Sequence, residues 1–166
     1  TISVLELGTG VGAVAMAAAI GLGALQSVVT ASDAAATSLA TATANVAING
    51  LAIAVRKLDW GDDEDLAAAV SANGGPFDLV LGAALQFEKW EKRLPAALAA
   101  LTHAGRRGRR SIVAFAHTTG ALAATVEGSG ARFEQLERSS GLAHGLHTRW
   151  SEAESDFEVV VLGRTR

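Results

Sequence analysis

Ile2-Ser3-Val4-Leu5-Glu6-Leu7-Gly8-Thr9-Gly10-Val11-Gly12 decides how the rest of the chain is read. A short apolar run rich in β-formers meets glycine at alternate positions, and the small residues Ala13 to Ile20 follow with helical character. Chemically this is a buried strand that turns sharply into a helix. Glycine at 8, 10 and 12 removes each Cβ where a ligand could lie against the backbone. Glu6 stands just before the turn, at the carboxyl end of the strand, where open α/β sheets hold their ligands.

Outward from this turn the chain alternates. Strands are expected at Ser27–Ala31, Ile53–Leu58, Phe77–Gly82, Ser111–Ala116, Phe133–Leu136 and Phe157–Leu162. Helices are expected at Ala35–Ile48, closed by Asn49-Gly50, at about Asp62–Ala72, at Glu88–Thr102 with a break or kink at Pro95, and at Thr118–Glu127. Strict alternation means a parallel sheet covered by helices on both faces. The last two strands have no convincing helix between them, which implies that the final strand runs antiparallel. The expected fold is therefore α/β and doubly wound, with seven strands in one domain spanning residues 1–166.

Composition bounds the function. Of the 166 residues, 49% are hydrophobic and 19% charged, a composition that builds a core. The net charge of −3 argues against a general nucleic-acid binder. Without cysteine there is no disulfide or thiolate chemistry. Val11 to Leu25 is too short and too broken by glycine to span a bilayer.

Gly8, Gly10 and Ala13 also satisfy a dinucleotide spacing, G-x-G-x-x-A, with Asp33 about where a ribose-binding acid would lie. The glycines alone leave a nicotinamide cofactor and another adenosine ligand open, and Asp33 could equally cap the helix that follows it. Further motifs narrow the choice. Asn45-Val46-Ala47-Ile48-Asn49-Gly50 closes the second helix, Leu58-Asp59-Trp60-Gly61 closes the third strand, and Phe77-Asp78-Leu79-Val80-Leu81-Gly82-Ala83 forms the fourth. With these in order, the chain resembles the class I, seven-strand S-adenosylmethionine-dependent methyltransferases. Within them it resembles the protein lysine methyltransferase-like group, by motif to about residue 102 and by strand order to the end. A nicotinamide reductase would have no evident use for Asp59-Trp60-Gly61.

The resemblance implies a Rossmann-like sheet, S-adenosylmethionine as cofactor and a protein side-chain amine as acceptor, with no metal. Glu6 and the loop of Gly8, Gly10 and Gly12 would face the methionine part of the cofactor. Asp33 would take both ribose hydroxyls. Asp59 would accept from the adenine amino group while Trp60 stacks on the ring, and Ala83 would line the reactive side. The family's acidic residue after strand four and its tyrosine three places on are here Ala84 and Phe87, separated by Leu85 and Gln86. An alanine and a phenylalanine cannot orient an amine by accepting from it. The catalytic residues therefore stay unassigned, and a catalytically inactive, structural or partner-binding subunit of a larger complex is the alternative. The resemblance also implies that the amino-terminal part of the family domain is missing from the sequence, and an intracellular setting, cytoplasmic or mitochondrial. Partners would be proteins and neither membrane nor nucleic acid.

Lesser features read as structural. Arg106, Arg107, Arg109 and Arg110 suit a solvated turn better than a phosphate site. His144 and His147 lack partners for a metal. His117 suits a capping role, and the acidic run Asp62 to Asp65 reads as a solvated helix start.

Overall fold

The computed structural model describes residues 1–83, 85, 93–103, 111–118, 133–140 and 157–164. Five strands form a parallel sheet: β1 (Ile2–Leu7), β2 (Ser27–Asp33), β3 (Ile53–Lys57), β4 (Leu79–Ala83) and β5 (Ile112–Thr118). Helices α1 (Ala13–Gly21), α2 (Ala36–Ile48), α3 (Asp63–Asn73) and α4 (Leu94–Leu101) fall between them. β6 (Phe133–Ser140) and β7 (Phe157–Arg164) continue the sheet beyond β5, in the order β3-β2-β1-β4-β5-β7-β6.

The order makes β1 the pivot. From β1 the chain steps outward to β2 and β3, then returns across the sheet to place β4 on the other side of β1. In register, Glu6 lies opposite Ala31 on one side and Leu81 on the other. At such a reversal the connections leave in opposite directions, and a crevice opens outside the carboxyl ends of the strands. The opposite end of the β1–β4 pair is fastened by Ser3, whose N–H and hydroxyl both donate to Asp78 Oδ2 at 2.9 Å.

Alternation along β1 distributes its side chains between two cores. Leu5 and Leu7 join Phe77, Val80, Leu98 and Leu101 on the face covered by α3 and α4. Val4 joins Ala15, Val29 and Ala31 on the face covered by α1. Burying each leucine contributes about 1.5–3 kcal/mol. Glu6 has the parity of Val4, so its side chain points to the α1 face, and this places a carboxylate beneath a helix start.

Two boundaries differ from the sequence reading. Of the break or kink expected at Pro95, the described residues show a helix start: α4 begins at Leu94 and the proline occupies its first turn, where no intrahelical N–H is required. Phe77 lies before β4 as an isolated bridge to Thr102. The expected helix over Thr118–Glu127 lies outside the described residues apart from Thr118, which ends β5. The arginine loop of 106–110 and His144 and His147 lie outside them too. Among the described residues no helix is long and apolar enough to cross a membrane.

Candidate functional site

The glycine turn is held by a closed set of hydrogen bonds. The Glu6 carboxylate accepts from the Thr9 hydroxyl and, at 3.0 Å, from the N–H of Ala15 in the first turn of α1. Gly12, left-handed at φ 88°, opens that helix without a side-chain cap, so Glu6 supplies the acceptor the helix start lacks. Thr9 donates its N–H to the Ser32 carbonyl at 2.8 Å, and the Ser32 hydroxyl donates to the Glu6 carbonyl at 2.6 Å. The Gly12 N–H donates to the Thr9 carbonyl at 2.8 Å, and Asn45 of α2 donates to the Val11 carbonyl at 2.8 Å.

Asp33 ends β2 with each carboxylate oxygen in use. Oδ2 accepts from the Gly10 N–H at 3.0 Å and Oδ1 from the Ala35 N–H at 2.9 Å. The second bond is the local turn that leads into α2. Each carboxylate oxygen can accept more than once, so a ligand hydroxyl can still be received. The helix-start role and the ligand role are thus compatible in one residue.

A third loop, Asp59-Trp60-Gly61, follows β3. The Asp59 N–H donates to Asp65 Oδ2 at 2.9 Å, and Asp59 Oδ1 accepts from the Gly61 N–H at 2.8 Å. Arg93 donates to the Gly61 carbonyl from the start of α4. Trp60 packs against the core cluster that includes Leu58, Leu66 and Leu85.

These loops enclose a cavity of about 550 Å³ at the carboxyl ends of the strands. Glu6, Gly8, Gly10, Asp33, Trp60 and Ala83 all line it. Gly12 and Asp59 do not. Gly12 instead brings α1 close to α2, since a Cβ there would stand 3.4 Å from Ala42. The Asp59 carboxylate is turned to its own loop, so Asp59 bears on the cavity through the position it gives Trp60. Sequence reasoning missed Leu58, Leu85 and Ser38 in the lining, and also Thr9, whose hydroxyl fixes Glu6. A serine on an alanine-rich helix carries no sequence signal. Ala84, Gln86 and Phe87 lie outside the described residues.

The electrostatics narrow the ligand. A pyrophosphate at a glycine turn needs free N–H groups and a bare helix start. Here the N–H groups of Thr9, Gly10 and Gly12 are engaged within the protein, and Glu6 occupies the start of α1. Two carboxylates, Glu6 and Asp33, face the cavity instead. Burial is the main reason that Glu6 holds its proton above the ordinary carboxyl range, and the charge of Asp33 adds to it. The Thr9 hydroxyl and Ala15 N–H act in the opposite direction. Such a site disfavours an anion and favours a ligand that is cationic on the β1 side.

The model of the lysine methyltransferase family matches residues 1–117. The chain belongs to the lysine methyltransferase family. Solved structures agree in fold. A protein of echinomycin biosynthesis, from the conversion of a disulfide bond into a thioacetal group, superposes with TM-score 0.69 at 16% identity over 99% of this chain and 76% of its own. TrmN from Thermus thermophilus gives 0.67 at 20% identity, over 98% of this chain and 44% of its own. SMU.776, complexed with SAH, gives 0.65 at 16% identity, over 97% and 44%. This methyltransferase-family chain thus spans less than half the length of the last two. No curated protein matches it in sequence.

S-adenosylmethionine is the family's cofactor, and the residues present fit it. The cavity falls within the roughly 300–1,000 Å³ of small-molecule sites. Gly10 leaves open space where a Cβ would stand, so the loop backbone can be approached closely. The carboxylate pair suits a sulfonium and not a phosphate.

Proposed function

We propose that this chain is a methyltransferase whose acceptor is a protein side-chain amine, lysine foremost. The observation that carries the reading is the cleft itself: Glu6 and Asp33 face one cavity at the strand-order reversal, while the N–H groups of Thr9, Gly10 and Gly12 are engaged within the protein. The family model's description supports lysine as acceptor. A net charge of −3 suits a basic protein segment better than a nucleic acid. We read residues 1–166 as one domain of the seven-strand class, with β7 antiparallel between β5 and β6.

S-adenosylmethionine, when bound, supplies a methyl group on a positively charged sulfur. In this reading Asp33 accepts from the ribose hydroxyls, Trp60 covers the adenine, and Glu6 with Gly8 and Gly10 faces the methionine part. Ala83 ends β4 on the side from which the acceptor approaches. The protein's contribution to rate is to hold the amine lone pair in line, since alignment is the larger part of what such a displacement needs. Direct displacement at the methyl carbon also needs the amine to arrive neutral, with its lone pair free.

Titration with S-adenosylhomocysteine, followed by methyl transfer from labelled S-adenosylmethionine to lysine-bearing proteins and to RNA, tests this. Binding with label on lysine is the expected result. Label on RNA, or no binding, would overturn it. Binding without any transfer would favour an inactive subunit, and the double substitution Ala84→Asp, Phe87→Tyr would then restore transfer if only the acceptor positions had been lost.

A further inference from the structure

The loop that carries Trp60 is gripped at both ends from outside the cavity. At its start, Asp65 Oδ2 accepts from the Asp59 N–H at 2.9 Å. At its end, Arg93 donates to the Gly61 carbonyl. The two gripping residues sit on different helices, Asp65 in the first turn of α3 and Arg93 at the start of α4, and those helices pack on each other. Neither side chain lines the cavity, whereas Trp60 between them does.

Asp65 is more than a solvated acid. Asp62 already caps α3 by accepting from the Glu64 and Asp65 N–H groups, so the helix start needs nothing from Asp65. Its carboxylate reaches back to the end of β3, where it also meets Lys57 Nζ at 2.9 Å. The Asp59 N–H, and then Lys57, hold its carboxyl below the ordinary range. Lys57 is 62% exposed and the ion pair is screened, which leaves the N–H bond as the contact that shapes the loop.

We propose that Asp65 and Arg93 are positioning residues that set the affinity for the adenosine end of the cofactor by holding Trp60 in place. This rests on the cofactor reading above. It makes α3 and α4 the support of the aromatic wall, so that a residue away from the ligand controls how well the ring is covered. An indole whose loop is free must be ordered on each binding event, and that cost lowers affinity without removing any direct contact.

The test is S-adenosylhomocysteine and adenosine titration of the full chain and its variants, with thermal melting to show that each is folded. Trp60→Ala is expected to weaken S-adenosylhomocysteine by roughly ten- to a hundredfold, as loss of a stacking partner does. Asp65→Ala and Arg93→Ala should each weaken it about tenfold, and adenosine by the same factor, while Lys57→Met changes it less than about twofold. Asp65→Asn keeps an acceptor for the Asp59 N–H and should restore most of the affinity; it also serves should the alanine variant not fold. The decisive comparison is Trp60→Ala with Asp65→Ala together, expected to be no weaker than Trp60→Ala alone, because one acts through the other. Independent, additive losses would overturn the proposal, as would Asp65→Ala leaving affinity unchanged. A wild-type chain that binds no S-adenosylhomocysteine would instead overturn the cofactor reading, and this inference with it.

Discussion

The N–H of Gly10 donates to Asp33 Oδ2 at 3.0 Å, joining the turn after β1 to the end of β2. One carboxylate therefore shapes the glycine loop, starts α2 through Ala35, and faces the cavity. Asp33→Asn turns an amide NH₂ toward one of two N–H donors and should cost about 1–3 kcal/mol of stability. In the reading above it also removes a charged acceptor for ribose. Calorimetry is expected to show S-adenosylhomocysteine weakened by about a hundredfold or more, beyond what the melting change explains. Unchanged affinity would separate Asp33 from the ligand.

The glycines of the turn should respond differently to alanine. Gly10 has φ 54° and nothing within 4 Å of a built Cβ, so Gly10→Ala carries only the left-handed strain, about 1–2 kcal/mol. Gly8 has φ 62° and its Cβ would stand 2.5 Å from Leu85 Cδ2, so the leucine must move as well. Gly8→Ala should therefore be the less stable in thermal melts. Equal melting temperatures would mean that Leu85 yields freely.

This difference shows what the sequence could reveal. The strand, turn and helix of residues 2–20, and the five parallel strands, were legible because apolar runs, glycine turns and the Asn49-Gly50 stop recur at fixed intervals. The cavity's principal acids were legible because they stand at strand ends. What was not legible depends on distance in three dimensions. Gly12 and Gly8 look alike in sequence, yet one packs against Ala42 of α2 and the other against Leu85 after β4. Asp65 looked like one more acid at a helix start, and its bonds to the Asp59 N–H and to Lys57 distinguish it from Asp63 and Glu64. Asp59 follows β3, but that its Oδ1 accepts from the Gly61 N–H within its own loop could not be read from the sequence.

Asn45 offers a test of how the turn is braced. Its amide donates to the Val11 carbonyl, and the next peptide N–H, that of Gly12, donates to the Thr9 carbonyl. The Val11–Gly12 peptide is thus fixed on both sides. Asn45→Ala should cost about 0.5–1.5 kcal/mol and raise hydrogen exchange at Gly12 selectively, while Asn45→Asp, which cannot donate, should behave like the alanine. Exchange at Gly12 that stays as protected as in the wild type would show that α2 does not brace the loop.

Glu6 predicts a pH dependence with a definite sign. It is 2% exposed, and its carboxyl keeps a proton above its usual 4.5 because burial penalises the charge and Asp33 repels it. In the window between 4.5 and that raised value the folded chain binds more protons than the unfolded one. The slope of stability with pH is then negative: the contribution of Glu6 is complete below its unfolded value and is lost as pH rises through the folded one. Asp65, held below the ordinary range, contributes in the opposite sense and at lower pH. The difference between wild type and Glu6→Gln isolates the Glu6 contribution. Glutamine can still accept from the Thr9 hydroxyl or the Ala15 N–H but takes up no proton, so urea denaturation over pH about 4 to 8 should show a flatter decline in the variant. Parallel curves would mean that Glu6 titrates in the folded chain as it does in the unfolded one, and that burial does not hold its proton.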